Sequence, residues 1–219
     1  MSGIVIILYS LAILISLTFH EVAHGYMAWR RGDDTAKSDG RLSLNPLVHL
    51  DIMGTIVFIV TMIYFRLPFG WAKPVPVNPM NLDNPKRDMV YVAAAGPASN
   101  MLLALVFGYI LIGLQTYNIM IPMILKAFLV ILVRVNLGLS FFNLLPIPPL
   151  DGSNILRGLL PYDKLNAYIR FTQYAPQIFM GLILLGYVTG RSILGMILTP
   201  ILEPYIYFWY NIIFAGKIL

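Results

Sequence analysis

The sequence predicts an all-α integral membrane protein, a polytopic helical bundle, and three observations carry that prediction. Hydrophobic residues fill 58% of the 219 positions and charged residues 11%, against roughly 25% charged in an ordinary soluble domain. The mean hydropathy is +0.77. Apolar runs of helical length recur from residue 3 to residue 214 and leave no stretch long enough for a separate soluble domain, so residues 1–219 are expected to form a single membrane-embedded domain.

Crossing about 30 Å of hydrocarbon takes about 20 mostly apolar residues, and five segments meet that need: about 3–28, 89–114, 120–145, 172–190 and 192–214. The first opens MSGIVIILYSLAILISLTF, without a basic leading region or a small-residue cleavage site, so it is expected to stay as a helix rather than act as a removable signal. A further run, 52–65 (IMGTIVFIVTMIYF), is too short to span. Its length suits a re-entrant or interfacial segment. Charge agrees, because Arg30, Arg31, Lys37 and Arg41 precede it and Arg66, Lys73, Lys86 and Arg87 follow it. A hairpin keeps both basic flanks on the cytoplasmic side, as the positive-inside bias requires. The uncharged connection 115–119 (QTYNI) is then external, and 152–171, with Arg157, Lys164 and Arg170, internal. The N-terminus is expected outside and the C-terminus in the cytoplasm.

Two short stretches are expected to be extended, or to form short β segments, on the cytoplasmic side: Gly40–Asn45, which alternates, and Trp71–Asn78, where Pro74 and Pro76 permit an edge position only. The net charge of +5 comes from basic residues dispersed among loops. That distribution fits membrane orientation and gives no nucleic-acid surface. With no cysteine in the chain, a metal would have to be held by nitrogen and oxygen ligands.

The chemistry concentrates in one pentapeptide. The chain has three histidines and two glutamates, and His20, Glu21 and His24 fall together at the end of the first apolar run. Residues i and i+4 share a helix face, so both imidazoles can meet one ion, with Glu21 about 100° around the helix from His20. This is the H-E-x-x-H arrangement in which two neutral nitrogens hold a metal and a neighbouring carboxylate takes a proton from water. Chance matches to five letters occur in soluble chains, but polar groups at membrane depth are costly and mark function. A catalytic site of this kind takes a third protein ligand. The leading candidate is Asp151 in residues 143–152, NLLPIPPLDG, where Pro146, Pro148 and Pro149 break the end of the third span. That span runs inward and delivers Asp151 to the same side as His24.

Together HEVAHG, AGPASN (residues 95–100) and NLLPIPPLDG resemble the site-2 protease family of intramembrane zinc metalloproteases, in a compact form without a PDZ-like insert. The resemblance implies one Zn2+ per chain held by His20, His24 and Asp151, with Glu21 as catalytic acid/base. It also implies Asn143 as a residue that holds substrate or stabilises the oxyanion, and Asn100 as a second residue lining the substrate site. The implied substrates are transmembrane segments of membrane proteins, and the implied location is the plasma membrane of a prokaryote. A helical substrate would have to unwind, and the extended segments at 40–45 or 71–78 are candidates to receive it by edge pairing.

Rival classes are a catalytically silent membrane protein that binds transmembrane partners, a transporter with a structural metal, and a membrane zinc protease acting on soluble or lipidated peptides with Glu203 as third ligand. His49 is expected to be structural or to support the site from outside. Arg134 and Glu203, each near the middle of an apolar run, are weighed as an ion pair. Tyr205, Tyr207, Phe208, Trp209 and Tyr210 suit an interfacial belt. Gly108 and Gly113 suit close helix packing.

Overall fold

Helices form where the apolar runs lie. In the computed structural model, which describes residues 3–65, 70–191 and 193–214, the helices in chain order are α1 Gly3–Arg30, α2 Thr35–Ser38, α3 Ile52–Phe65, α4 Pro85–Thr116, α5 Met123–Leu144, α6 Asp151–Leu159, α7 Tyr162–Thr172, α8 Ala175–Thr189 and α9 Ile193–Phe214. Short 3-10 turns cover Pro46–His49 and Pro79–Asn81. Arg66, used in the charge reading, lies outside the described residues. The helix α4 begins four residues before the expected span. Asn84 accepts a hydrogen bond from Arg87 N and Pro85 takes the first helical position, the combination that starts a helix.

Three of the described helices are long and apolar enough to cross a membrane: α1, α4 and α5, with 28, 32 and 22 residues. At 1.5 Å per residue they measure about 42, 48 and 33 Å. The other two expected spans fall short of that standard for different reasons. α8 has 15 residues, about 22 Å, because the predicted 172–190 run is divided near Thr172 between α7 and α8. α9 has 22 residues but carries Pro200, Pro204 and Glu203 in its interior.

α1, α4 and α5 pack on one another around Ala12, Ala104, Leu132, Val133 and Leu137. Lipid tails are as apolar as leucine, so the association relies on close contact and polar bonds between helices. Small residues provide the contact, Ala12 and Ala104 being fully buried. A Cβ on Gly108 would collide with Ile213 of α9, so this glycine sets the α4–α9 approach. Among the described residues nothing would lie within 4 Å of a Cβ on Gly113.

No β-strand forms among the described residues; the expected β segments reduce to a single antiparallel bridge, Leu50 with Ala72. The physical reason lies in residues 71–78, whose main-chain groups bond to side chains instead. Arg41 Nη2 donates to Lys73 O at 2.8 Å and to Pro74 O at 3.3 Å. Val75 N donates to Glu21 Oε2 at 2.8 Å and Asn78 N to Asp33 Oδ2 at 2.7 Å. Pro74 and Pro76 have no N–H to offer. The result is an extended strap lying across the end of α1. Beside the bridge, Lys73 N donates to His49 O and Gly54 meets Trp71 so closely that a Cβ there would strike Trp71 O. The chain therefore returns, after α3, to the level at which α3 began.

Candidate metal centre

The centre is built on the end of α1. His20 and His24, one turn apart, face α4 at Gly96. A Cβ on Gly96 would lie 2.6 Å from Nε2 and from Cε1 of His20 and would also strike Nε2 of His24, so the absence of a side chain there lets both rings in. Asp151 arrives from the other direction as the first residue of α6. The following glycine makes that approach possible: a Cβ on Gly152 would lie 2.5 Å from Leu145 O and would strike Leu144 O at the end of α5. Across the cluster, His20 Nε2 is 3.1 Å from Asp151 Oδ2 and His24 Nε2 is 3.3 Å from Asp151 Oδ1. The two Nε2 atoms are 2.9 Å apart, and one ligand atom from each residue lies within 4.8 Å of the others.

The protonation of these atoms follows from what lies behind them. His24 Nδ1 is 2.7 Å from Val92 O, a carbonyl that can only accept, so Nδ1 carries the hydrogen. His20 Nδ1 is 2.6 Å from Asn100 Oδ1. That amide is held in one orientation, because Asn100 Nδ2 donates to Ser16 O at 3.1 Å and to Asn136 Oδ1 at 2.9 Å. Asn136 is fixed in turn, its Nδ2 donating to Ser16 Oγ at 2.8 Å and Leu132 O at 2.9 Å. Ser16, Asn100 and Asn136 are all fully buried. Both histidines thus donate from Nδ1 and, when neutral, present bare Nε2 lone pairs.

Two bare nitrogens and a carboxylate facing one point repel one another unless a cation lies between them. Among the described residues Asp151 Oδ2 is buried without a hydrogen-bond partner, an orphan that a cation would satisfy. Tetrahedral zinc with ligand distances of about 2.0–2.1 Å separates its ligand atoms by about 3.3 Å; the 2.9, 3.1 and 3.3 Å found here fit that ion with a few tenths of an ångström of adjustment. The residues fit the group. Burial would raise the Asp151 carboxyl, but its interaction with the His20 and His24 rings outweighs that and brings it down to about 2. Asp151 is a carboxylate.

Glu21, on the adjacent face of α1, is half-buried and accepts from Val75 N. The other expected residues are placed differently. Asn100 does not line a substrate surface: it is 0% exposed and serves His20 from behind. Asn143, in the last turn of α5, is half-buried and donates to Leu139 O at 3.1 Å. His49 is buried outside the cluster and bonds to Ser43 O at 2.8 Å, a structural role. Glu203 is exposed on α9 and is not part of the cluster. Arg134 and Glu203 form no ion pair among the described residues. Tyr205 touches Ser140 and Phe141, so α9 near Glu203 meets α5 about 9 Å along its axis from Arg134. Of the aromatic belt, Tyr205, Trp209 and Tyr210 pack on the helical core, whereas Tyr207 and Phe208 are exposed.

Sequence reading left Ser16, Gly96 and Asn136 without a role. Ser16 and Asn136 did carry a signal, each being a polar residue inside an apolar run. Gly96 stood within the AGPASN motif but its neighbours were not visible.

A helical membrane protein with a His-His-Asp cluster and a carboxylate beside it belongs to the class of membrane metallohydrolases. Comparison with known proteins makes the class specific. Residues 112–186 match the model of Peptidase family M50. Over 155 residues the chain is 43% identical to "Putative zinc metalloprotease YwhC" of Bacillus subtilis, an alignment covering 69% of this chain and 68% of that protein. "Putative zinc metalloprotease Rip2" of Mycolicibacterium smegmatis is 33% identical over 147 residues, covering 65% of this chain and 53% of that protein. Its namesake from Mycobacterium tuberculosis is 30% identical over 165 residues, with coverages of 74% and 61%. No solved structure matches. The chain belongs to peptidase family M50, the site-2 protease family, and is a membrane-integral metalloendopeptidase.

Proposed function

We propose that the protein is a zinc endopeptidase that hydrolyses peptide bonds in or near transmembrane segments of other membrane proteins. The observation that carries the reading is the convergence of His20, His24 and Asp151 at the end of membrane-crossing helices, next to a carboxylate, Glu21, with no place in the metal cluster. His20, His24 and Asp151 hold the zinc, one per chain. When bound, the zinc supplies a positive charge that acidifies water and polarises a scissile carbonyl.

The chain's own residues do the rest. Asn100 and Val92 O keep both imidazoles in the tautomer that binds metal. Glu21 takes a proton from the attacking water and passes it to the leaving amine. Asn143 offers its amide to the substrate's carbonyl as negative charge develops there. Backbone groups at Lys73, Pro74, Val75 and Asn78 are engaged by Arg41, Glu21 and Asp33, which leaves residues 40–45 as the freer extended segment to receive an unwound substrate.

Basic residues gather at the centre's end of the helices: Arg30, Arg31, Lys37, Arg41, Lys73, Lys86 and Arg87. The positive-inside bias then puts the centre on the cytoplasmic side, with the N-terminus outside. The meeting of residues 50 and 72 supports α3 as a re-entrant element, and α8 and α9 complete five spans. A prokaryotic plasma membrane is the expected location.

The test is cleavage of a panel of transmembrane and soluble peptides by the purified protein in lipid vesicles. Transmembrane peptides should be cut, and Glu21→Gln should keep one zinc per chain but cut nothing. Undiminished cleavage by Glu21→Gln, or cleavage of soluble peptides alone, would overturn the reading.

A further inference from the structure

Among the described residues, Arg41 is a buried cation with no carboxylate partner. It is 8% exposed, it enters no ion pair among the described residues, and its Nε is buried without a hydrogen-bond partner. Burying a charge unpaired is expensive, and the guanidinium spends its hydrogen bonds on two consecutive carbonyls of the strap, Lys73 O and Pro74 O. The second of these belongs to the same peptide plane as Val75 N–H. That N–H donates to Glu21 Oε2 at 2.8 Å.

We propose that Arg41 is a positioning residue for Glu21, acting through the Pro74–Val75 peptide; this rests on the reading of Glu21 as the proton carrier. A donor on an amide oxygen polarises the amide and strengthens the bond its N–H makes, so the positive charge of Arg41 is felt at the Glu21 carboxylate without contact between the two side chains. The sequence Lys73-Pro-Val-Pro-Val77 suits this task. Pro74 and Pro76 lack N–H groups, so Val75 supplies the single donor between them. The prolines also fix the backbone on both sides.

The strap has little freedom to move. Val75 is 8% exposed, and its Cγ1 would lie 2.9 Å from a Cβ on Gly25, directly after His24. Lys73 N is held by His49 O, and Asp33 holds Asn78 N and Asn81 Nδ2. The peptide is therefore presented to Glu21 by a frame anchored on both sides, with Arg41 as the cation on its carbonyls.

The test uses the full chain in detergent micelles or vesicles and three measurements. In Arg41→Ala, kcat on a cleaved transmembrane peptide should fall about 10- to 100-fold, part of what a general base contributes, with KM within about twofold and zinc content unchanged. Arg41→Lys should recover part of the loss. Labelling with 13C-carbonyl proline and 15N-valine isolates two amide signals, Val75 and Val77, the two valines that follow proline. The Val75 amide proton should move upfield in Arg41→Ala and in Glu21→Gln, while Val77 stays. Arg41→Gln, which keeps a donor and removes the charge, gives the same readout if Arg41→Ala does not fold.

An unmoved Val75 signal, an unchanged kcat, or loss of zinc in parallel with kcat overturns the proposal. The two levels separate cleanly: full cleavage by Glu21→Gln sinks the assignment of Glu21 and this proposal with it. An inactive Glu21→Gln together with a Val75 amide indifferent to Arg41 rejects the relay alone.

Discussion

Gly96→Ala sets two opposing terms against each other. In an unencumbered helix interior, alanine is more favourable than glycine by about 1 kcal/mol, so a neutral environment predicts a slightly more stable protein. At Gly96 the added carbon would stand 2.6 Å from His20 Nε2, about 0.9 Å inside ordinary contact. The rings cannot slide back, since Asn100 Oδ1 and Val92 O hold their far nitrogens. Overpacking of this kind costs about 1–3 kcal/mol, which cancels the helical gain and leaves a net loss of at most about 2 kcal/mol. The fold should survive. The metal should not, because ligand distances tolerate only about 0.2 Å and both nitrogens must move several times that. Perturbing groups that merely support a ligand lowers affinity about 10- to 100-fold; displacing two ligands should cost at least about 100-fold. Zinc titration against a competing chelator, paired with thermal unfolding and peptide cleavage, reads both terms. A Gly96→Ala protein with wild-type zinc affinity and wild-type cleavage would refute the steric account of the centre.

Other perturbations test the surrounding pieces. Asn136→Leu leaves Asn100 and Ser16 short of a partner and should cost about 1–3 kcal/mol in unfolding experiments, with zinc affinity about tenfold lower by titration. Asp151→Asn should strip the metal, whereas Glu203→Gln should leave one zinc per chain; metal analysis of the two purified variants decides. Asp33 supplies a pH dependence. Its burial would raise the carboxyl, but bonds from Thr35, Asn78 and Asn81 outweigh it and hold it below 3.8. A folded value below the unfolded one means that its stabilisation is present above pH 3.8 and is lost as pH falls through the folded value. Proteolysis of the strap across pH 5 to about 2 should show that loss in wild type and not in Asp33→Asn; matching curves would reject it.

How much was legible in the sequence depended on whether a feature was local. His20 and His24 are one turn apart, so helical periodicity alone puts them on one face. Asp151 is announced by the prolines that follow α5, whereas the closeness of Gly152 to Leu144 and Leu145, which lets α6 fold back, has no local signature. The extended form of the strap was legible from Pro74 and Pro76, but the side chains that hold it, Glu21, Asp33 and Arg41, lie 32 to 54 residues away and left no local signal. Hydropathy over 172–190 gave no sign of the break near Thr172, after which α8 starts at Ala175 with 15 residues.

The tautomer of His20 is the sharpest instance of a local property set at a distance. A proton on Nε2 would occupy the position a metal needs, and nothing in HEVAHG forbids it. What forbids it is the direction of the Asn100 amide, and that direction depends on Ser16 O and Asn136 Oδ1 both being acceptors. A flipped amide would set its oxygen against two other oxygens at a fully buried position, with a desolvation cost for each. Asn136 is itself locked by Ser16 Oγ and Leu132 O, so α1, α4 and α5 must all be seated before His20 is ready. The bonds that hold the three helices together in lipid are therefore the same bonds that prepare the ligand, and weakening helix association at Ser16 or Asn136 should lower metal affinity even though neither residue touches the ion.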